Sequence, residues 1–507
     1  MKIRSRRITF LVLLGFLLAV QVMPSLARVG IQCPFPLLTQ HTAVNAVNGL
    51  TVQLSYNQND PRISTDPACR NINAPNFTTV CPVDINPLTG QPSGKTVNPV
   101  FLNTSTITFA NVSTASRLAR FAFVNLTTHV RCRSITCGDG HVLMGDRDRT
   151  GNADLAGNGD TYVFGFTDVT GVPPDRVIPA GFAAAQHLAP TMVADQNEAL
   201  WLTLTNAGFR ERPDLVDAHT VHYHGFPNAA SAFDGEPMAS FGINIGSSLT
   251  YYYKNVEPGT YMWHCHVEAS EHMQMGMLGQ LVINPAQDQT TVPINGFTKF
   301  AYNDCTTFPL LTDPMCGVTG YNILKPVEIT SFDPTFHDAD NTYKKVRFDL
   351  MNDTYPMFNG RGYPDTIVRD PIINNGTPFD FAHIPSQPFN TAITINRATQ
   401  GTRVLIRMPS LSTVDFYTVT VLGIPMTVVG QGARLLRGPD PGIPGQFGLS
   451  TIYRTGSVTI GGGEAYDIIL DTTGLPAGTY FMYTTNLNAL NNDSEDFGGM
   501  MTEIVVN

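Results

Sequence analysis

Residues 264–266 read His-Cys-His, and this triplet constrains the chain more than any other stretch. Successive side chains of an extended strand point to opposite faces, so His264 and His266 share one face while Cys265 takes the other. The same alternation runs through His219-Thr-Val-His222-Tyr-His224-Gly225, where His222 and His224 point one way and Tyr223 the other. With His272 and Met277, these stretches hold six of the twelve histidines of the 507-residue chain. Two imidazoles, a thiolate and a weak thioether form the donor set of a type 1 copper site. A strand that puts a thiolate on one face and imidazoles on the other can serve two metal sites at once.

The second half of the chain repeats this scaffold without its ligands. Gly259-Thr-Tyr-Met-Trp-His264-Cys265-His266 lies on Gly478-Thr-Tyr-Phe-Met-Tyr483-Thr484-Thr485. Likewise, Gly276-Met277-Leu-Gly-Gln-Leu-Val-Ile lies on Gly499-Met500-Met-Thr-Glu-Ile-Val-Val. Upstream, His219-Thr-Val-His222-Tyr-His224-Gly225 lies on Tyr417-Thr-Val-Thr420-Val-Leu422-Gly423. Every candidate ligand except a methionine is replaced, so the second unit reads as a blank copy.

At about 100–200 residues per domain, the length implies several domains. Abundant Gly, Pro and β-branched residues, with few amphipathic helical patterns, make the chain all-β. Thr161-Tyr-Val-Phe-Gly-Phe, Leu200-Trp-Leu-Thr-Leu-Thr, Leu249-Thr-Tyr-Tyr-Tyr and Leu278-Gly-Gln-Leu-Val-Ile read as strands of a first sandwich over residues 160–286. A linker over 287–325 follows. A second sandwich over 326–507 includes Ala392-Ile-Thr-Ile, Arg403-Val-Leu-Ile-Arg, Tyr417-Thr-Val-Thr-Val-Leu and Tyr466-Asp-Ile-Ile-Leu. Residues 28–159, rich in Asn, Thr, Pro and Asp, read as an irregular, partly β N-terminal extension packed on the first sandwich. Within it, Asp146–Asp154 resembles the start of a calcium loop, but Gly157 stands where the bidentate acid belongs, so a solvated turn is the reading.

Residues 1–27 pair a basic start with the apolar run Ile8–Val20 and then Pro24-Ser25-Leu26-Ala27, the pattern of a cleavable secretory signal. The mature chain is therefore expected to be secreted, in the periplasm or outside the cell, with no membrane association after cleavage. Loss of Lys2, Arg4, Arg6 and Arg7 makes the formal charge of −10 four units more negative. Such acidity argues against nucleic-acid binding. Eight cysteines in an exported chain imply disulfides. Cys265 belongs to the metal motif, Cys69/Cys81, Cys132/Cys137 and Cys305/Cys316 are spaced as local pairs, and Cys33 is left over.

These motifs, together with Asp234-Gly235-Glu236-Pro237 and Pro258-Gly259-Thr-Tyr-Met-Trp-His264, resemble the multicopper oxidases, the group of laccases and their two-domain relatives, over roughly residues 160–507. The resemblance implies two cupredoxin-like Greek-key β-sandwiches in tandem, with copper ligands in the first. It implies His219, Cys265 and His272 as equatorial type 1 ligands with Met277 axial, His222 as a type 2 ligand, and His224, His264 and His266 as type 3 ligands. Catalysis would then rest on His222, His224, His264, His266 and Cys265.

Two departures stand out. The family's spacing would put the second type 1 histidine at Ser270 and the axial residue at Met275, so a two-residue insertion is inferred, with His272 and Met277 keeping their mutual step and Met275 second in line. The family's trinuclear cluster also takes eight histidines, and this chain offers four. His337 and His383 lack a His-x-His pairing and read as ordinary loop or core residues, and His41, His129, His141 and His187 are isolated. A homo-oligomer or a partner chain is therefore expected to supply the missing imidazoles. An isologous dimer of the first sandwich is one geometry that would.

The resulting expectation is a copper oxidoreductase that takes single electrons from a small molecule, a metal ion or a redox protein and reduces oxygen. The rival is a blue-copper electron-transfer subunit without oxidase activity. Copper nitrite reductase shares the two-sandwich plan, but that family has a non-ligand residue at the His266 position and an acid at the His222 position.

Overall fold

A computed structural model of the chain describes residues 130–144, 160–170, 177–227, 230–289, 293–305, 313, 315–369, 372, 386–439 and 447–507, with short strand segments between Thr42 and Asn125. The leader, the Asp146–Asp154 loop, Cys33, Cys69, Cys81, His41, His129 and His383 lie outside the described residues.

The main strands of the first sandwich are β1 Val130–Leu143, β2 Asp160–Asp168, β3 Met192–Asp195, β4 Ala199–Asn206, β5 His222–His224, β6 Ser248–Lys254, β7 Gly259–His264 and β8 Leu278–Asn284. One sheet runs β2-β1-β4-β6, and the facing sheet runs β3-β8-β7-β5. Alternate residues of both sheets, among them Phe164, Phe166, Leu202, Leu204, Tyr223, Tyr251, Tyr253, Trp263 and Leu281, fill a common core. A helix, α1 (Ala269–Gln274), interrupts the chain between β7 and β8.

The second sandwich contains β9 Ile323–Pro326, β10 Ile393–Ile395, β11 Arg403–Pro409, β12 Tyr417–Val421, β13 Met426–Gln431, β14 Ser457–Ile460, β15 Ala465–Asp471, β16 Gly478–Thr484 and β17 Met501–Val506. Its order β10-β17-β16-β12 reproduces β3-β8-β7-β5. The register agrees as well. His222 pairs with His264 and Tyr223 with Trp263, while Thr420 pairs with Tyr483 and Val421 with Met482. His264 opposes Leu278, and Tyr483 opposes Met501. The chain is thus all-β, two cupredoxin-like sandwiches in tandem, and the repeat holds residue by residue.

Three sequence expectations need adjustment. Strand β1, assigned to the extension, hydrogen-bonds along its length to β2 and in parallel to β4, so the first sandwich takes in residues well before 160. Its polar reading hid it, because Arg131 and Arg133 are buried by pairing with Glu198 at 2.8 Å and Asp168 at 2.6 Å. That strand also rules out the Cys132/Cys137 pair. Five residues of extended chain span roughly 16 Å, far beyond the Cα separation of a disulfide. Cys137 is a buried free thiol, whereas Cys132 is disulfide-bonded. The 287–325 linker carries the expected Cys305–Cys316 bridge, yet it is also packed: Ala301, Tyr302 and Tyr321 join a core with Leu405, Val429 and Ile469 of the second sandwich.

One buried carboxylate ties the two sandwiches and the linker together. Asp467 on β15 accepts from Arg407 of β11 at 3.1 Å and from the hydroxyls of Thr260 on β7 and Tyr302 in the linker. Arg407 also donates to the Ala301 carbonyl at 2.9 Å. Both charged partners are fully buried. Asp467→Ala leaves the Arg407 cation buried without its counter-ion, which costs about 3–5 kcal/mol. Chemical denaturation of the variant is expected to show a matching loss of stability.

Candidate metal centre

The paired strands β5 and β7 place the motif residues, and the chain leaving β7 carries Cys265 inward. Cys265 is buried, with its Sγ 3.3 Å from His272 Nδ1 and 3.7 Å from His219 Nδ1. The donor atoms of His219, Cys265 and His272 all lie within 4.8 Å of one another. Met277 is buried in the same core; its amide donates to the His272 carbonyl at 2.8 Å, and its carbonyl accepts from the Cys265 amide at 3.1 Å. Met275 is equally buried, but its carbonyl is bound by the Phe164 amide. Gly276, at φ 112°, makes this loop possible, since a side chain there would meet the Phe164 carbonyl at 2.8 Å.

On the other face, His222, His224 and His264 bring donor atoms within 4.8 Å of one another. The His266 ring centroid lies 4.8 Å from that of His222 and 5.5 Å from that of His264. Two tautomers follow from hydrogen bonding. His222 Nδ1 donates to the Asp234 carbonyl at 2.8 Å, and His264 Nδ1 donates to the Cys265 carbonyl at 2.8 Å, which leaves Nε2 of each ring as the lone-pair nitrogen, that of His264 lying 3.4 Å from His224 Nδ1. Gly235, at φ 79°, lets the Asp234 loop press against the Val221 carbonyl, where any Cβ would collide. One strand end thus contributes side chains to two separate donor groups.

Burial sets the protonation states. It lowers His264 to about 3, with His222, His224 and His266 adding to the effect, and lowers His272 to about 4. His219 falls well below the ordinary histidine value, through burial and then His272. The imidazoles of His219, His264 and His272 are therefore neutral at pH 7, as metal ligands must be. Burial pushes the Cys265 thiol up to about 11, so a bound cation must displace its proton.

The four-histidine face opens into a cleft of about 710 Å³. Its opposite wall comes from the second sandwich of the same chain: Leu411, Ser412, Thr413, Val414, Gly462 and Gly463. The Met273 and Met351 thioethers also line it. No residue of that wall is an imidazole. Two imidazoles and a thiol in one buried group are donors that suit a soft transition-metal ion such as copper, and four further imidazoles line the cleft.

Some contributors escaped the sequence reading. The Thr220 amide donates to Cys265 Sγ at 3.5 Å, and its hydroxyl accepts from the His266 amide at 3.0 Å, so one residue steadies both sites. Asp217 and Glu268 bring carboxylate oxygens within 4.8 Å of a His272 ring nitrogen. Glu271 nearby is pushed up to about 7 by burial, then by Asp340, Glu268 and Asp217. Only the proximity of these acids to His219 and His272 in sequence pointed to them. His337 and His187 are buried against the 272–277 loop, His337 Nε2 lying 2.9 Å from the Gln274 carbonyl and His187 bonding the Gly276 backbone, and neither joins a donor group; His141 pairs with Glu211 at 3.0 Å.

Two family profiles, each described as Multicopper oxidase, match residues 175–288 and 337–506, together more than half of the chain. The chain belongs to the multicopper oxidase family. It is accordingly a copper-dependent oxidase that uses oxygen and a reducing substrate. Solved structures similar to it include the blue copper oxidase from Nitrosomonas europaea, at 18% identity and a TM-score of 0.48, covering 74% of this chain and 85% of that one. The multicopper oxidase mgLAC is 17% identical at a TM-score of 0.48, with the same coverage. The laccase from Botrytis aclada is 14% identical at 0.45, covering 74% of this chain and 52% of that one. No curated protein sequence matches the chain. Among the described residues, no helix of this oxidase is long and apolar enough to cross a membrane.

The depressed imidazoles give the metal-free oxidase a defined pH response. His187 and His264 sit near 3 and His272 near 4 in the fold, against about 6.5 when unfolded. Below about 6.5 the unfolded chain takes up protons that the folded chain refuses, so stability falls as pH drops. The loss accumulates down to about 3–4 and then levels. Thermal unfolding of copper-free protein between pH 7 and pH 4 is expected to show a falling midpoint.

Proposed function

We propose that this multicopper oxidase takes single electrons at a type 1 copper held by His219, Cys265, His272 and Met277 and delivers them to oxygen at a second copper centre. Copper bound at these positions supplies the one-electron chemistry that the side chains lack. His222 is assigned as the type 2 ligand and His224, His264 and His266 as type 3 ligands. The observation that carries this reading is the covalent adjacency of Cys265 to His264 and His266. The sulfur faces one donor group while the two flanking rings face the other, so an electron has an unbroken covalent path through a single peptide unit between them.

The roles of the remaining groups follow. The Thr220 amide places positive charge at the sulfur and stabilises its thiolate form. Asp234 and the Cys265 carbonyl hold the His222 and His264 rings with Nε2 turned toward the cleft. Asp217 and Glu268, beside His272, favour a cationic electron donor among small molecules, metal ions and redox proteins. The protein acts outside the cytoplasm, after removal of residues 1–27, in the periplasm or extracellular space.

Four imidazoles are half of what an eight-histidine cluster takes. The other four come from a second chain entering by the open mouth of the cleft, since the second sandwich of the same chain already walls the side opposite the four histidines. A cluster shared in this way amounts to about five coppers per two chains, two of type 1 and three shared. Metal analysis of the native oligomer together with oxygen uptake tests this. About five coppers and steady oxygen consumption support it. One copper per chain with the thiolate-to-copper absorption band but without oxygen uptake overturns it in favour of a blue-copper electron carrier.

A further inference from the structure

The second sandwich lacks copper ligands, yet it grips the loop that carries two of the type 1 ligands. Gln274, between His272 and Met277, is completely buried. Its Oε1 accepts from the Asp333 amide at 2.9 Å. Its Nε2 donates to Asp353 Oδ1 at 2.8 Å and to Thr413 Oγ1 at 2.9 Å. Its carbonyl lies 2.9 Å from His337 Nε2, and the other nitrogen of that ring lies 2.6 Å from the Tyr162 carbonyl. All four partners of Gln274 fall between residues 333 and 413, outside the first sandwich.

The partners are themselves fixed. Asp333 caps a second helix, α2 (Pro334–Asn341), by accepting from the Thr335 amide at 2.8 Å, and its other oxygen accepts from the Asn352 amide at 2.9 Å. Asp353 also accepts from the Ser331 hydroxyl. The Phe332 ring packs on His337 at 4.3 Å. Thr413 belongs to the wall of the four-histidine cleft. One side chain thus joins the type 1 loop to that wall.

We infer that Gln274 is a positioning residue for the type 1 site, through which the ligand-free half of the chain sets the spacing of His272 and Met277. The inference rests on the type 1 assignment above. Groups that orient metal ligands commonly change metal affinity about 10- to 100-fold when removed. A buried amide with every polar atom engaged holds its loop in one geometry, because any displacement strands a donor or acceptor.

The test uses the full-length, copper-loaded chain and four variants. Gln274→Glu removes both Nε2 bonds and sets a carboxylate against Asp353. Gln274→Glu with Asp353→Asn restores a donor opposite an acceptor with the polarity reversed. Asp353→Asn alone completes the cycle, and Thr413→Val removes one bond at the cleft wall with little threat to folding. We expect Gln274→Glu to weaken copper retention about 10- to 100-fold, to shift the reduction potential and the thiolate-to-copper band, and to speed amide exchange over residues 269–277 in copper-free protein. The double variant recovers toward the parent, and Thr413→Val moves the same readouts less. A Gln274→Glu chain too unstable to isolate shifts the decision to Thr413→Val and the double variant. Unchanged potential, band and loop exchange in Thr413→Val, or a double variant no closer to the parent than Gln274→Glu, overturns the inference. A parent protein without the charge-transfer band fails the type 1 assignment itself, which is a separate result.

Discussion

The pairing of β5 with β7 is the constraint on which the rest depends. His222 opposes His264 and Tyr223 opposes Trp263, so a register slip of one residue would turn the histidines into the core and the aromatics out to the cleft. The large buried surfaces of Trp263 and Tyr223 hold the register. They are packed in the first core with Phe166 and Tyr253, at ring separations of 4.7 Å and 3.9 Å. Hydrophobic packing therefore fixes where the metal donors point, and the donors need contribute nothing to the fold.

The repeat shows how far that scaffold is separable from its chemistry. The second sandwich keeps the strand order and the register while Thr420, Tyr483 and Thr484 stand where His222, His264 and Cys265 stand in the first. Its side chains do other work: Asp467 and Arg407 lock the interface, and loops around 411–414 and 462–463 wall the four-histidine cleft. A half that has shed its ligands still shapes the environment of the ligands that remain.

Much of this was legible in the sequence because it rests on alternation. The facing of His264 and His266 against Cys265, the strands at residues 161, 200, 249, 278, 403, 417 and 466, and the blank repeat all follow from a period of two. Strand β1 was not legible, since its arginines are buried only by virtue of Glu198 and Asp168 far along the chain. The Cys132 and Cys137 spacing misled for the same reason: sequence distance says nothing of distance along an extended strand. Gln274 gave no signal either, because a buried glutamine differs from an exposed one only in partners that tertiary structure supplies. The type 1 and cleft assignments themselves rest on donor geometry and family resemblance together.

Anomalous diffraction at the copper edge, on crystals of the copper-loaded full-length protein, tests the central claim most directly. One strong peak is expected among His219, Cys265, His272 and Met277, with further density bounded by His222, His224, His264 and His266 and none inside the second sandwich. A peak within the second sandwich, or none beside Cys265, would contradict that claim.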